Sequence, residues 1–452
     1  MKTQSLAVLS AFVSSSDAFL LMGQHIAHER VDPIVQPGVV SGHLHDVVGA
    51  STFGVNFDPA VWAKSNCSSM QVQENKSNYW MPSLMARNDN GTFSAIPLLE
   101  TRVYYLNNHP DGTKVKAFPQ GFRMLAGNPS ATAPTGHMDL MSSSGFQCQN
   151  GRNDGRENIQ PHLPYFECLD FTRLTLAFPD CWDGINLDSP DHKAHVTYRL
   201  GNGTCPLSHP VSMMEIDLEL GYWTRGYRWD QLLLSTGDQA GYGLHADYLS
   251  FWDVDLLQRA LDDPTCQHRE NIFGDNAQCQ ALLPYRNDAA MQSCKLEAKI
   301  PQEETGITKP IPSLPGCNLP WNATKGEAKP SCPAAPATPA IGPAATPQSS
   351  WANLGCYTDS TTNRGLPIQL KSIPSGTMTI DKCVAACASK GYTFAGVEYS
   401  IECFCGNAIG GDSKKANQAD CDMKCSGDAS QLCGGGNRVN VYAKAIGVVD
   451  VY

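Results

Sequence analysis

Beyond its N-terminal segment the chain contains no apolar run near the roughly 18 to 20 residues that a membrane-spanning helix needs. Residues 439–452 lack the long hydrophobic tail of a lipid-anchor signal. Dense basic runs are missing too: 44 acidic residues face 33 basic ones, a net charge of −11. That balance disfavours a nucleic-acid partner. There is no Gly-x-Ser-x-Gly, no His-Glu-x-x-His and no phosphate-binding loop. Serine-hydrolase, zincin and nucleotide-dependent chemistry are disfavoured accordingly. Helical spacing is scarce, with 251–261 and 380–390 the best candidates.

What is present is a chain of 452 residues, 42% of them hydrophobic, enough for two or three packed domains. Lys2, the run 6–13 and Ser16-Asp17-Ala18 read as a secretory signal over 1–18, cleaved near Ala18. Eighteen cysteines fit an exported chain that pairs them. Asn66, Asn75, Asn90, Asn202 and Asn322 each open an Asn-x-Ser/Thr sequon and are candidate glycosylation sites. The expectation is a secreted, extracellular or wall-bound glycoprotein, monomeric and without a membrane anchor.

Residues 326–350 are rich in Pro, Ala, Thr and Ser, cannot build a core, and read as an extended linker. It separates a large domain, 19–325, from a small one, 351–443, followed by a tail, 444–452. Ten cysteines precede Ser350 and eight follow it, so each part can close its own bridges, with Cys332 tied back to the large domain. The large domain reads as mainly β: 102–106, 173–178, 195–200 and 213–220 are β-branched or alternating segments bounded by turn residues. The last alternates apolar with acidic residues, as a half-buried strand does. A β-sandwich or jelly-roll-like core with long polar loops is expected.

The densest chemistry lies in 181–195, a turn-rich loop containing Asp183, Asp188, Asp191, His192 and His195. On a strand, His43 and His45 would share a face, and adding His195, His209 or His245 would make a three-histidine metal site. Asp46, Asp191 or Asp247 would then serve as outer-shell carboxylates. The competing expectation is that each histidine makes an ordinary structural hydrogen bond; His25, His28, His109, His137, His162 and His268 receive no role. A glycosidase would instead need two carboxylates, with Asp183, Asp188, Asp191, Glu215 and Asp247 available. The catalytic candidates are therefore His43, His45, Asp183, Asp188, Asp191, His192, His195, His245 and Asp247. Tyr79, Trp80, Trp182 and Tyr242 stand beside polar or glycine-rich stretches and are candidates for stacking on sugar rings, against the alternative of core packing.

Arg30-Val31-Asp32-Pro33, His43-Leu44-His45, Ser77-Asn78-Tyr79-Trp80, Cys181-Trp182-Asp183-Gly184, Leu187-Asp188-Ser189-Pro190-Asp191-His192 and Gly241-Tyr242-Gly243-Leu244-His245-Ala246-Asp247-Tyr248 resemble a fungal secreted family known as domain of unknown function 1996. That family carries no settled activity to transfer. Cys356-Tyr357, Cys383 to Cys387, Glu402-Cys403-Phe404-Cys405-Gly406-Asn407, Cys421, Cys425 and Cys433 resemble a WSC domain, an eight-cysteine module of wall-stress sensors and secreted wall enzymes. The resemblance implies a small, disulfide-rich α+β fold that binds wall polysaccharide, β-glucan or similar. Tyr357, Tyr399, Phe404 and Asn407 are its candidate glycan contacts. Two functions follow: a wall-associated polysaccharide binder, or a carbohydrate-active enzyme, hydrolytic or metal-dependent, targeted by the WSC domain. No cofactor is specified.

Overall fold

The computed structural model describes residues 17–110, 112–134, 144–149, 159–266, 279–332, 338–343 and 351–444. Residues 1–16 of the expected signal, His137, His268, linker residues 333–337 and 344–350, and tail residues 445–452 lie outside the described residues.

Two five-stranded antiparallel sheets form a sandwich. The first runs in the order Asp17–Gly23, Leu98–Asn107, Glu215–Trp223, Phe171–Ala177, Gly145–Gln149, and the second Ala27–Glu29, His45–Gly49, Asn78–Pro82, His245–Leu249, Arg123–Gly127. Because strand side chains alternate, whole rows point the same way. Leu21, Val103, Leu218 and Leu176 form one such row, and Val48, Tyr79, Tyr248 and Met124 form a row on the facing sheet. All eight belong to one buried core. The Tyr79 and Tyr105 hydroxyls, 2.6 Å apart, bridge the two sheets, and the Tyr222 hydroxyl donates to Asp46 at 2.6 Å.

Glu215–Trp223 departs from its expected half-burial: both of its faces are buried. Its acidic face is matched by arginines, with Arg173 on Glu219 at 3.4 Å and on Glu100 at 2.9 Å, and Arg199 on Asp180 and Glu215. Buried carboxylates persist when such partners take up their charge. The expected strand over 195–200 shrinks to Val196–Thr197. Asp180 accepts from both the backbone N–H and the guanidinium of Arg199, which draws the chain out of the sheet. The expected helix starts later, at Val254, because the Asp253 carboxylate caps Leu256 N–H and Phe251 and Trp252 sit in the core instead.

The C-terminal part is a five-stranded sheet, Trp351–Thr358, Arg438–Lys444, Phe394–Glu398, Glu402–Gly406 and Ile368–Gln369, crossed by the helix Ile380–Ser389. Cys383 and Cys387, one helical turn apart, meet Cys403 and Cys405, which share a strand face. Cys356–Cys421 and Cys425–Cys433 complete its bridges. Before residue 350 the pairs are Cys67–Cys294, Cys148–Cys168, Cys181–Cys205, Cys266–Cys279 and Cys317–Cys332. Within the expected linker, Ile341–Pro343 pairs with Lys299–Pro301.

The C-terminal sheet is docked on the sandwich. Trp223 and Leu99 share one apolar cluster with Leu354, Tyr357, Leu366, Phe394 and Phe404. The Trp223 indole N–H donates to the Tyr357 hydroxyl at 3.2 Å, and the Lys415 ammonium lies 3.8 Å over the Tyr227 ring.

Candidate functional site

The second sheet turns one face to the sandwich core and the other to a separate cluster under the loops. On that outer face Val47, Trp80 and Asp247 stand in one row, and His45 and His245 follow two residues along their strands. Pro82 lies opposite His45, so the imidazoles reach over a side chain that carries no polar group. His43 precedes the strand in a bend rather than sitting on it, and still closes on the same point. Its ring centroid is 4.3 Å from that of His45 and 5.0 Å from that of His245.

His43 Nε2 and His245 Nε2 are 3.1 Å apart. His45 Nδ1 bonds Val31 O at 3.1 Å, and His245 Nδ1 bonds Gly243 O at 2.8 Å. Asp32 and Asp247 also approach His45, with ligand atoms of the three groups within 4.8 Å of one another. Asp32 is held by the N–H groups of Ile34 and Val35. Asp247, 1% exposed, has neither oxygen hydrogen-bonded. Burial pushes all three histidines down, reinforced by the neighbouring rings at His43 and His45 and by Lys193 and Lys329 at His245; His45 falls to about 3 and His245 to about 4. Burial, and then the charge of Asp32, pushes the Asp247 carboxyl well up. Three neutral imidazoles and two carboxylates form a donor set for a metal ion.

The other sequence candidates fall elsewhere. His195 is spent on Ser189 Oγ at 2.9 Å and Arg123 O at 2.7 Å, and His209 bonds Ala194 O at 3.1 Å; neither joins the cluster. Asp183 closes a turn on Ile185 and Asn186 N–H, and Asp191 one on Lys193 and Ala194 N–H. Asp188 bonds His192 at 2.7 Å and lies 3.3 Å from Arg123. The loop therefore works mainly as cover: Arg123 N–H donates to Leu187 O and Leu125 N–H to His192 O, which satisfies the sheet's open edge. Asp46 is no outer-shell ligand. Adjacent to His45 on a strand, it points to the opposite face, where His25 at 2.8 Å and His28 at 2.7 Å hold it. Burial alone would raise the Asp46 carboxyl, and these two histidines outweigh it and hold it well down.

The aromatic candidates need correction. Tyr79, Trp80, Trp182, Tyr357 and Phe404 are buried and cannot stack on a sugar; their rings fill cores because strand alternation turned them inward. Tyr242 is half-buried, and Tyr399 and Asn407 are exposed. Of the sequons, Asn66, Asn90 and Asn202 are exposed, whereas Asn75 and Asn322 are buried. Sequence reasoning passed over three exposed rings, Tyr165 (44%), Phe166 (52%) and Trp229 (43%). Tyr165 stacks on His162 at 4.2 Å and meets Trp229 edge-on at 6.0 Å. Beside Trp229, Arg228 pairs with Asp89 at 2.9 Å and Asp230 at 3.0 Å along an open polar cleft. Asp32, although part of the Arg30-Val31-Asp32-Pro33 motif, was also passed over as a site residue.

Fold and site define a class first: a disulfide-tied β protein of two modules whose larger sandwich buries a histidine–aspartate cluster. In particular, residues 32–252 match the family model described as "Domain of unknown function (DUF1996)", and residues 353–435 match that of the WSC domain. A WSC domain-containing protein of Arthroderma benhamiae is 44% identical over 95 residues, covering 21% of this chain and 10% of that protein. A "Putative fungistatic metabolite" of Chaetomium globosum is 40% identical over 88 residues, 20% of this chain and 40% of that protein. Kremen protein 2 of Homo sapiens is 42% identical over 98 residues, 21% of this chain and 20% of that protein. In these three comparisons the chain spans no more than 40% of the relative's length.

Proposed function

We propose that this is a secreted, cell-wall-associated protein that engages polysaccharide, β-glucan or similar, as a monomer. The observation that carries this reading is the group of exposed rings Tyr165, Phe166 and Trp229, next to the Arg228, Asp89 and Asp230 side chains. Exposed rings offer flat faces to the C–H side of sugars, while neighbouring charged groups bond hydroxyls. In the WSC module the contact is Tyr399, 55% exposed at a hairpin tip. Tyr399 and Ser400 both have positive φ, 48° and 66°, a conformation that a tyrosine adopts only when its surroundings enforce it. With Tyr357 and Phe404 sealed against the sandwich, the two modules present their exposed rings from one docked body.

The test is co-sedimentation of the full chain with insoluble β-glucan, chitin, cellulose and mannan, alongside Trp229→Ala and Tyr399→Ala. Retention on at least one polysaccharide, weakened in both variants, is expected. A chain that stays in the supernatant with all four overturns the reading. A second reading, a carbohydrate-active enzyme, is favoured by the histidine–aspartate cluster alone. Release of soluble oligosaccharide by the full chain, lost in a folded His43→Ala variant, would establish it.

A further inference from the structure

His45 and His245 are both anchored through Nδ1 to backbone carbonyls, Val31 O and Gly243 O. A carbonyl only accepts, so each Nδ1 carries the hydrogen and each Nε2 keeps its lone pair. This is how metal-ligating histidines are oriented by their second nitrogen. The separation of 3.1 Å between His43 Nε2 and His245 Nε2 is close to the roughly 3.3 Å edge of a tetrahedron with bonds of about 2.0 to 2.1 Å. A hydrogen on His43 Nε2 could occupy the lone pair of His245, but no more. His45 Nε2 and both Asp247 oxygens would remain buried without a partner, and so would the indole N–H of Trp80, directly opposite Asp247 in the sheet.

The ligand atoms of His43, His45 and His245 lie within 4.8 Å of one another, as do those of Asp32, His45 and Asp247. His45 is common to both sets, and with its Nδ1 spent, Nε2 is the atom it can offer to either. Two carboxyl groups shut away from water are costly to ionise alone, and a dication beside them would offset that cost and favour their carboxylate forms. The nearby ammonium of Lys193 is directed to Gly127 O at 2.6 Å. His43, the least enclosed of the five residues, is the side from which an ion can enter.

We propose that His43, His45 and His245, with Asp247 and Asp32 completing the shell, bind one divalent first-row transition-metal ion. Imidazole nitrogen with carboxylate oxygen suits zinc, copper or manganese, whereas calcium takes an all-oxygen shell. The assignment does not depend on polysaccharide engagement, since it rests on a different part of the fold.

The test uses the full chain without a histidine tag, stripped with chelator and titrated calorimetrically with ZnCl2, CuCl2, MnCl2 and, as a control, CaCl2. One equivalent of at least one of the first three is expected, with none of calcium. His43→Ala and Asp247→Asn, each checked for a native near-ultraviolet circular dichroism spectrum, are expected to weaken binding by more than the roughly 10- to 100-fold typical of outer-shell changes. A folded chain that takes up none of the three ions stoichiometrically overturns the proposal. So does equal affinity in both variants. Should either variant misfold, cobalt absorption in the unmodified chain decides: intense visible bands from a nitrogen-rich site support the proposal, and the spectrum of hexaaquo cobalt refutes it.

Discussion

Removing the Trp223 side chain should undock the C-terminal module. The ring ends the strand Glu215–Trp223, is buried, and meets Phe171 at 5.2 Å and Phe394 at 5.9 Å. Truncating a buried tryptophan to alanine costs about 3 to 5 kcal/mol. The lost indole N–H also leaves the Tyr357 hydroxyl without its donor. Because the linker keeps both modules on one chain, the loss falls on an intramolecular docking constant, which drops roughly two to four decades. Small-angle scattering of Trp223→Ala should show a larger radius of gyration and a broader distance distribution than the parent chain. Calorimetry should resolve separate transitions for the sandwich and the four-disulfide module. Phe394→Ala, on the opposite side of the contact, should act in the same direction. An unchanged scattering profile in both variants would refute the argument that this cluster holds the modules together.

Four further outcomes are expected. Burial, and then the charge of Asp217, holds the Glu215 carboxyl above its ordinary range despite Arg199. Its folded pKa lies above the unfolded value, so its contribution to stability is complete below about pH 4.3 and declines as pH rises toward the folded value, with a limiting slope of about 1.4 kcal/mol per unit. Glu215→Gln should flatten the fall in Tm between pH 5 and 8; a slope equal to that of the parent chain counts against the assignment. Glycopeptide mass spectrometry should find sugar on Asn66, Asn90 or Asn202 and none on Asn75, whose side chain donates to the Tyr79 hydroxyl at 3.0 Å and accepts from Ser77 N–H at 3.1 Å. Asn75→Gln should destabilise the sandwich by about 1 to 3 kcal/mol, since it leaves buried groups unsatisfied. Trp229→Ala should weaken polysaccharide retention by about 2 kcal/mol, roughly 30-fold, with Tm unchanged, because the ring is half exposed.

Docking would alter how the two modules cooperate in the proposed engagement of polysaccharide. With Tyr357 and Phe404 facing the sandwich, the C-terminal module is a fixed extension of the larger one rather than a free tether. Two contacts held in one geometry can strengthen binding only to a polysaccharide whose repeat fits that geometry. This predicts a preference for ordered glycan over soluble fragments, measurable as a ratio of affinities that falls in Trp223→Ala.

Local chemistry alone determined much of this protein. Alternating β-branched segments and scarce helical spacing define a mainly β chain, since side-chain periodicity directly reflects backbone geometry. Even cysteine counts on either side of residue 350 anticipated bridges that stay within each part. Cysteine spacing marked the WSC module, and the His43-x-His45 and His245-x-Asp247 stretches marked four of the five clustered residues. Tertiary structure decided the rest. Adjacent residues of a strand face opposite ways, so Asp46 left the site that His45 entered, and two histidines without an assigned role took it up. Asp32 joined from the turn after Ala27–Glu29; its motif was visible in the sequence, but its meeting with His45 was not. Equally apolar rings parted company, Tyr79 and Trp80 into cores and Tyr165 and Trp229 onto the surface, because burial depends on what packs against a face as well as on the residue that occupies it.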